Sequence, residues 1–142
     1  DWNSRISPRF TINISPKYNS TLNPDFNSSI NPQFNSRINP EWNTRINPEY
    51  NFSFNPKYNR WTGLYLFDKS NNLNGYLVEA GENVYLYFGT GFAWESYFVK
   101  TGDHMNQFTL KGKWTGQYLS TDGAGGYNLF TANDEWTGQH AK

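Results

Sequence analysis

Along the first 60 residues one apolar residue returns at every fourth position, and its kind alternates. Tyr18, Phe26, Phe34, Trp42, Tyr50 and Tyr58 form one set, and Leu22, Ile30, Ile38, Ile46 and Phe54 the other. Each is followed by an asparagine, from Asn19 to Asn59, and all seven prolines keep the same phase, from Pro8 to Pro56. The period is therefore eight, written aromatic-Asn-x-x-Ile-Asn-Pro-x, and it reaches back to Trp2. A proline in every octad removes an amide donor and clashes with a helical turn, so a continuous α-helix is excluded. Asn-Pro-x-aromatic favours a type I turn, because proline presets the backbone and the asparagine side chain accepts a local amide. The other tetrad, such as Asn35-Ser-Arg-Ile38, offers a similar turn with weaker chemistry.

A chain that bends this regularly, with one apolar residue per bend, is expected to form a solenoid whose coils bury those residues by stacking. Two geometries fit. Eight residues per coil would align all the aromatics in one ladder and the isoleucines in another. Sixteen would give four columns, with Trp2, Tyr18, Phe34 and Tyr50 in one and Phe10, Phe26, Trp42 and Tyr58 in another. The larger coil is preferred, because the smaller leaves little room for a ring inside. In either, stacked asparagines satisfy backbone groups as amide ladders.

At Arg60 the pattern changes: the prolines stop, and all twelve glycines lie at or after Gly63. This predicts two units, an octapeptide-repeat solenoid over 1–60 and a small antiparallel β domain over 61–142. Trp-Thr-Gly recurs at Trp61, Trp114 and Trp136. Blocks 61–82 and 114–135 share Trp, Thr, Gly, Tyr, Leu and a closing Glu, block 92–113 matches more weakly, and 83–91 is left as an insertion. Each block of 22 residues holds two short aromatic or branched runs around a polar turn, the pattern of a β-hairpin. Three or four hairpins make a sheet, barrel or stack.

Hairpins of this length rich in Trp, Tyr and Gly resemble the cell-wall-binding repeats of the choline-binding type. That resemblance covers residues 61–142 and implies rings from neighbouring hairpins caging a quaternary ammonium. The residues to watch for a ligand are Trp61, Tyr65, Trp94, Trp114, Tyr118 and Trp136, as hairpin core or, facing outwards, as sugar-stacking or cation-capturing rings.

Composition narrows the chemistry. Hydrophobic content is low at 36% while aromatics reach 19%, so the core is built largely from rings. Twelve basic and twelve acidic side chains leave no net field for nucleic acid or an anionic membrane, although residues 1–60 lean basic and 61–142 acidic. Without cysteine, disulfides and thiolate chemistry are excluded, and no run is long enough for a membrane helix. The compartment stays open, with the cell surface or exterior favoured over the cytoplasm. Opening at Asp1, in phase with Arg9, Lys17 and Asp25, the chain reads as part of a longer parent or a processed end.

Catalysis lacks convergent groups: Asp103-His104 reads as a solvated turn pair, nothing sets the separation of Glu79 and Glu82, and Asp122-Gly-Ala-Gly-Gly has one carboxylate where calcium wants six or more oxygens. Four sequons, at Asn13, Asn19, Asn27 and Asn51, are expected by chance in so Asn-rich a chain. No cofactor or metal is expected. The sequence thus points to a non-enzymatic structural or interaction module: a repeat spacer or stalk with a capping or recognition head, self-associating or binding another protein. The alternative is a carbohydrate or cell-wall binding module using exposed Trp and Tyr, and a more distant one is ice binding by a regular Ser/Thr face.

Overall fold

The computed structural model describes Ser7, Pro8 and residues 12–142. Trp2 and Phe10, assigned above to aromatic columns, lie outside the described residues. The octads fold as an array of turns at eight-residue spacing, with short 3-10 segments at Ile12–Ile14, Ser20–Leu22, Ser28–Ile30, Ser36–Ile38, Thr44–Ile46 and Phe52–Phe54. In one octad the Asn23 carbonyl accepts the Phe26 and Asn27 amides at 3.0 and 2.8 Å, then the Asn27 carbonyl accepts Ile30 at 3.2 Å. Each turn from Asn19 onwards is led by an asparagine whose Oδ1 accepts the amide two residues on, as Asn23 does from Asp25 and Asn27 from Ser29, and Ser15 Oγ takes the same part for Lys17.

The other half of each asparagine ties octad to octad. The residue before proline donates Nδ2 to the carbonyl of the preceding proline: Asn31 to Pro24 at 3.1 Å, Asn39 to Pro32 and Asn47 to Pro40 at 3.0 Å. The residue after the aromatic donates six positions back: Asn27 to Thr21, Asn43 to Arg37 and Asn51 to Arg45, each at 2.8 Å. Bonds six and seven residues back join each octad to the one before it, so the preferred sixteen-residue coil is wrong. Its premise, that rings need room inside, fails because the rings point out. Tyr18, Phe26, Phe34, Trp42, Tyr50 and Tyr58 are 54–78% exposed, while the run Ile-Asn-Pro is the buried arc of the octads from Ser28 to Pro48. Three of the four sequon asparagines, Asn19, Asn27 and Asn51, spend their amide on this ladder.

Residues 63–141 form a closed antiparallel barrel in which eight strands follow one another in chain order. They are β1 Gly63–Phe67, β2 Leu73–Gly81, β3 Val84–Gly89, β4 Trp94–Thr101, β5 His104–Thr109, β6 Trp114–Thr121, β7 Tyr127–Phe130 and β8 Trp136–Ala141. Leu66 opposite Ala141 and Phe67 opposite His140 close the ring. Eight strands leave an interior that side chains can fill. Leu66, Leu77, Tyr85, Phe98, Met105, Leu119, Leu129 and Ala141 fill it.

A second core lies outside the barrel. Val78, Ala80, Val84, Leu86, Phe88, Tyr97, Val99 and Phe108 alternate with the interior residues and are buried beneath Ile38 and Ile46 of the array, with Phe54 beside them. The array lies side-on around the wall and meets the strands in reverse order. Ser15 reaches Asp134 before β8, the Leu22 carbonyl takes Asn106 of β5, Ser28–Ile30 packs on β4, and Phe52–Phe54 packs on β2. Gly112 marks how closely the two approach: at φ +80°, a Cβ there would stand 2.5 Å from the Gln33 amide nitrogen, which donates to the Lys111 and Gly112 carbonyls.

The expected hairpins are present, but their frame differs. The supposed insertion 83–91 contains β3, so block 61–82 is β1–β2 whereas 92–113 is β4–β5 and 114–135 is β6–β7. One added strand reverses direction, and the later blocks run opposite to the first. The frame the barrel uses is Phe-x5-Trp: Phe88 faces Trp94, Phe108 faces Trp114 and Phe130 faces Trp136 in register, with Phe67 and Leu73 as the fourth pair. All four turns are alike, with a positive-φ residue at the same place: Asn71, Phe92, Gly112 and Asp134.

Candidate functional site

The last octad ends in the turn Asn55-Pro56-Lys57-Tyr58, held by the Tyr58 and Asn59 amides on the Asn55 carbonyl, both at 3.2 Å. The Asn59 side chain bonds back to the Phe52 carbonyl, after which Arg60-Trp61-Thr62 breaks the pattern and leads into β1. The Thr62 carbonyl accepts Glu79 of β2 at 2.8 Å, which fixes the entry. Tyr65 exchanges both backbone bonds with Lys142, at 2.9 and 3.0 Å. Tyr58, Trp61 and Tyr65 are thereby brought to one cleft of about 730 Å³, lined also by Pro56, Lys57, Asn59, Arg60, Thr62 and Gly63.

The rings behind the cleft form a continuous band. The Trp61 ring lies 5.1 Å from Tyr65, tilted at 58°, and 5.6 Å from Tyr76, edge-on at 73°. Tyr76 stacks on Phe92 at 5.3 Å and 2°. Tyr65 continues to Phe67 at 6.4 Å, which stacks on His140 at 5.5 Å and has the Lys142 ammonium 5.6 Å from its ring centre. Offset and edge-to-face contacts of this kind add about 0.5–1.5 kcal/mol each beyond area burial, so the platform is rigid.

Of the residues singled out from sequence, only Trp61 and Tyr65 meet. Trp94, Trp114 and Trp136 enter β4, β6 and β8 from one end of the barrel, whereas Trp61 precedes β1 at the other. Trp94 and Trp114 lie half-buried against the outer core. Trp136 is at the edge of exposure, and its indole N–H donates to the Gln139 carbonyl at 2.9 Å. Tyr118 is fully buried, stacked between His104 and Phe130, with its hydroxyl donating to Asp134 Oδ1 at 2.6 Å. Burial, and then the adjacent carboxylate, raises its ionisation well above the usual phenol range. The sequence reading passed over Tyr58, Tyr76 and Phe92. The Phe-x5-Trp spacing places Phe92 in a shared turn, and the strict octad phase places Tyr58 at the array's end.

The titratable candidates take other roles. His104 is not in a solvated turn pair: it opens β5, is buried under the array, and shares a 2.6 Å bond between Nε2 and Asn106 Oδ1. The Asn106 Nδ2 donates to the Leu22 carbonyl at 2.8 Å, which orients that amide and makes Nε2 the protonated ring nitrogen. Burial pushes the imidazole down to about 4. Glu82 pairs with Arg37 of the array at 3.2 Å. Asp122 accepts the Ala124 and Gly126 amides at 2.7 and 3.0 Å, which is turn chemistry. Among the described residues no group of three or more His, Cys, Asp or Glu side chains gathers around a metal-sized site.

Comparison with protein-family models, with curated proteins and with solved structures found no match to this chain. The resemblance to choline-binding-type repeats stays one of composition, because barrel closure sets Trp61 apart from Trp114 and Trp136.

Proposed function

We propose that the chain is a non-enzymatic structural and interaction module that associates with a second copy of itself through the outer face of its octad array. The observation that supports this is the ladder Tyr18, Phe26, Phe34, Trp42, Tyr50 and Tyr58, six rings on one face, each more than half exposed. At about 200 Å² per ring they present roughly 800 Å² of apolar surface, above the few hundred Å² a monomer usually tolerates. It is also about what one partner contributes to an interface of standard size.

The charges beside the ladder favour one arrangement. Glu41 points to Lys111 in the β5–β6 turn at 3.7 Å, and Arg37 to Glu82 in the β2–β3 turn at 3.2 Å. Those turns lie at opposite ends of the barrel, so the array has one edge whose middle, Asp25, Glu41 and Glu49, is acidic between Lys17 and Lys57, and an opposite edge that is basic with Arg37 and Arg45. Two ladders face to face about a two-fold axis along the array set acidic edge against basic edge. The antiparallel arrangement sets acid against acid. Exposed pairs contribute at most about 1 kcal/mol each, so the edges select register while the rings supply affinity.

Sedimentation velocity over a concentration series is the test. The unmodified chain is expected to shift to dimer, and the double variant Phe34→Ser, Trp42→Ser to stay monomeric with unchanged thermal stability, since both rings stand clear of the core. An unmodified chain that sediments as a monomer throughout refutes the reading.

A further inference from the structure

We infer that the cleft between the end of the array and β1 is a binding site for an acidic sugar unit, such as a uronic acid within a polysaccharide. It goes beyond the ladder, because only Tyr58 belongs to both.

The lining carries two cations, Lys57 and Arg60, and no carboxylate. Neither has a carboxylate partner among the described residues; the Lys57 ammonium sits 5.4 Å from the centre of the Tyr58 ring. Two unpaired cations beside low-dielectric ring walls draw an anion. A guanidinium presents a planar fork that matches a carboxylate, and the lysine adds a point charge.

The shape of the walls selects what carries that anion. Trp61 and Tyr65 pack on each other at 5.1 Å and 58°, so nothing intercalates between them and a ligand meets them from the cleft side. They offer ring faces at an angle, which suits the non-planar CH faces of a pyranose. Asn59 and Thr62 on the rim supply amide and hydroxyl groups for its ring hydroxyls. Tyr58, largely exposed, lines the same cleft. A second cleft of about 350 Å³ continues past Trp61, lined by Ser53, Phe54, Arg60 and Glu79 among others. Its carboxylate marks that side for a neighbouring neutral unit, while the acid seats at Lys57 and Arg60.

The probe is an aldobiouronic acid, one uronic acid joined to one neutral sugar, compared with the corresponding neutral disaccharide and followed by calorimetry and tryptophan fluorescence on the full chain. The uronate is expected to bind and to weaken with added salt, the neutral sugar to bind at least about tenfold less tightly, a difference of about 1.4 kcal/mol. Tyr58→Ala and the double variant Lys57→Gln, Arg60→Gln change only exposed side chains, so both should keep their melting temperature and lose most of the uronate affinity. Phe34→Ser, Trp42→Ser should bind uronate as well as the unmodified chain, which separates this site from self-association. No uronate binding overturns the proposal. So does equal binding of the two sugars, or affinity that survives both cleft variants.

Discussion

Asn39 offers the sharpest test of how the array is held. It lies at the middle of the repeat with no exposed surface. Its Nδ2 donates to the Pro32 carbonyl at 3.0 Å, and its Oδ1 accepts the Glu41 amide at 2.9 Å. Asn39→Ala removes both bonds, each with a net value of about 1 kcal/mol, and leaves the Pro32 carbonyl buried without its partner at a further cost of about 1–3 kcal/mol. The expected loss is about 3–5 kcal/mol, a large part of the stability of a small domain. Asn43 makes the same two kinds of bond, to the Arg37 carbonyl at 2.8 Å and from the Arg45 amide at 3.2 Å, but where water can reach. Asn43→Ala should therefore cost about 1 kcal/mol, because water replaces what the amide gave. Asn39→Asp sharpens the contrast: the acceptor stays, while a buried carboxylate faces the Pro32 carbonyl until it takes a proton. Its folded-state ionisation is raised, so that variant should lose stability as pH rises. Urea denaturation of the three variants, with slopes checked for two-state behaviour, gives the numbers. Equal, small costs for Asn39→Ala and Asn43→Ala would refute the claim that buried amides bind octad to octad.

Two further outcomes follow from the packing of the array on the barrel. The buried His104 titrates near 4 while its unfolded counterpart titrates near 6.5, so the unfolded chain binds more protons between those values. The His104 contribution to stability should level off above pH 6.5 and fall by roughly 3 kcal/mol as pH drops to 4, and His104→Gln should flatten that slope; an unchanged slope removes His104 as its source. Residues 61–142, read from sequence as a separate β domain, would on their own expose Val84, Leu86, Phe88, Tyr97, Val99 and Phe108 on the outer wall. That fragment should bind a hydrophobic dye and aggregate, and a cooperative, monomeric melt would show that the barrel does not need its band.

Much of this organisation was legible in the chain, and the parts misread have physical causes. The octad and its turn chemistry are local, fixed by Asn-Pro and by asparagines two residues from the amides they accept, so spacing alone located the turns from Asn19 to Asn59. Coil size was misjudged because aromatic residues were assumed to be core. The better signal was the unbroken run Ile-Asn-Pro, in which the apolar residue hardly varies, against rings flanked by charged neighbours such as Asp25 and Glu41. The cleft at Tyr58, Trp61 and Tyr65 was half legible, because its members come from the end of one pattern and the start of the next. Closure through Leu66 and Ala141 joins positions far apart in the chain, and no local pattern encodes it.

The cover on the outer wall, however, is written in the strands. β8 mixes apolar residues with Thr, Gly and Gln, as a strand with one solvated face does. β3 reads Val84-Tyr-Leu-Tyr-Phe88 and β4 contains Tyr97-Phe-Val99, apolar on consecutive positions and therefore on both faces. Two-sided burial needs a second layer, and the column Ile30, Ile38, Ile46 and Phe54 supplies it, with Ile38 and Ile46 buried against that wall. The same argument locates the surface left over. Once the isoleucines face the barrel, a coil of eight residues must turn its aromatics the other way, so the exposed ladder is a geometric consequence of the array serving as the barrel's outer layer.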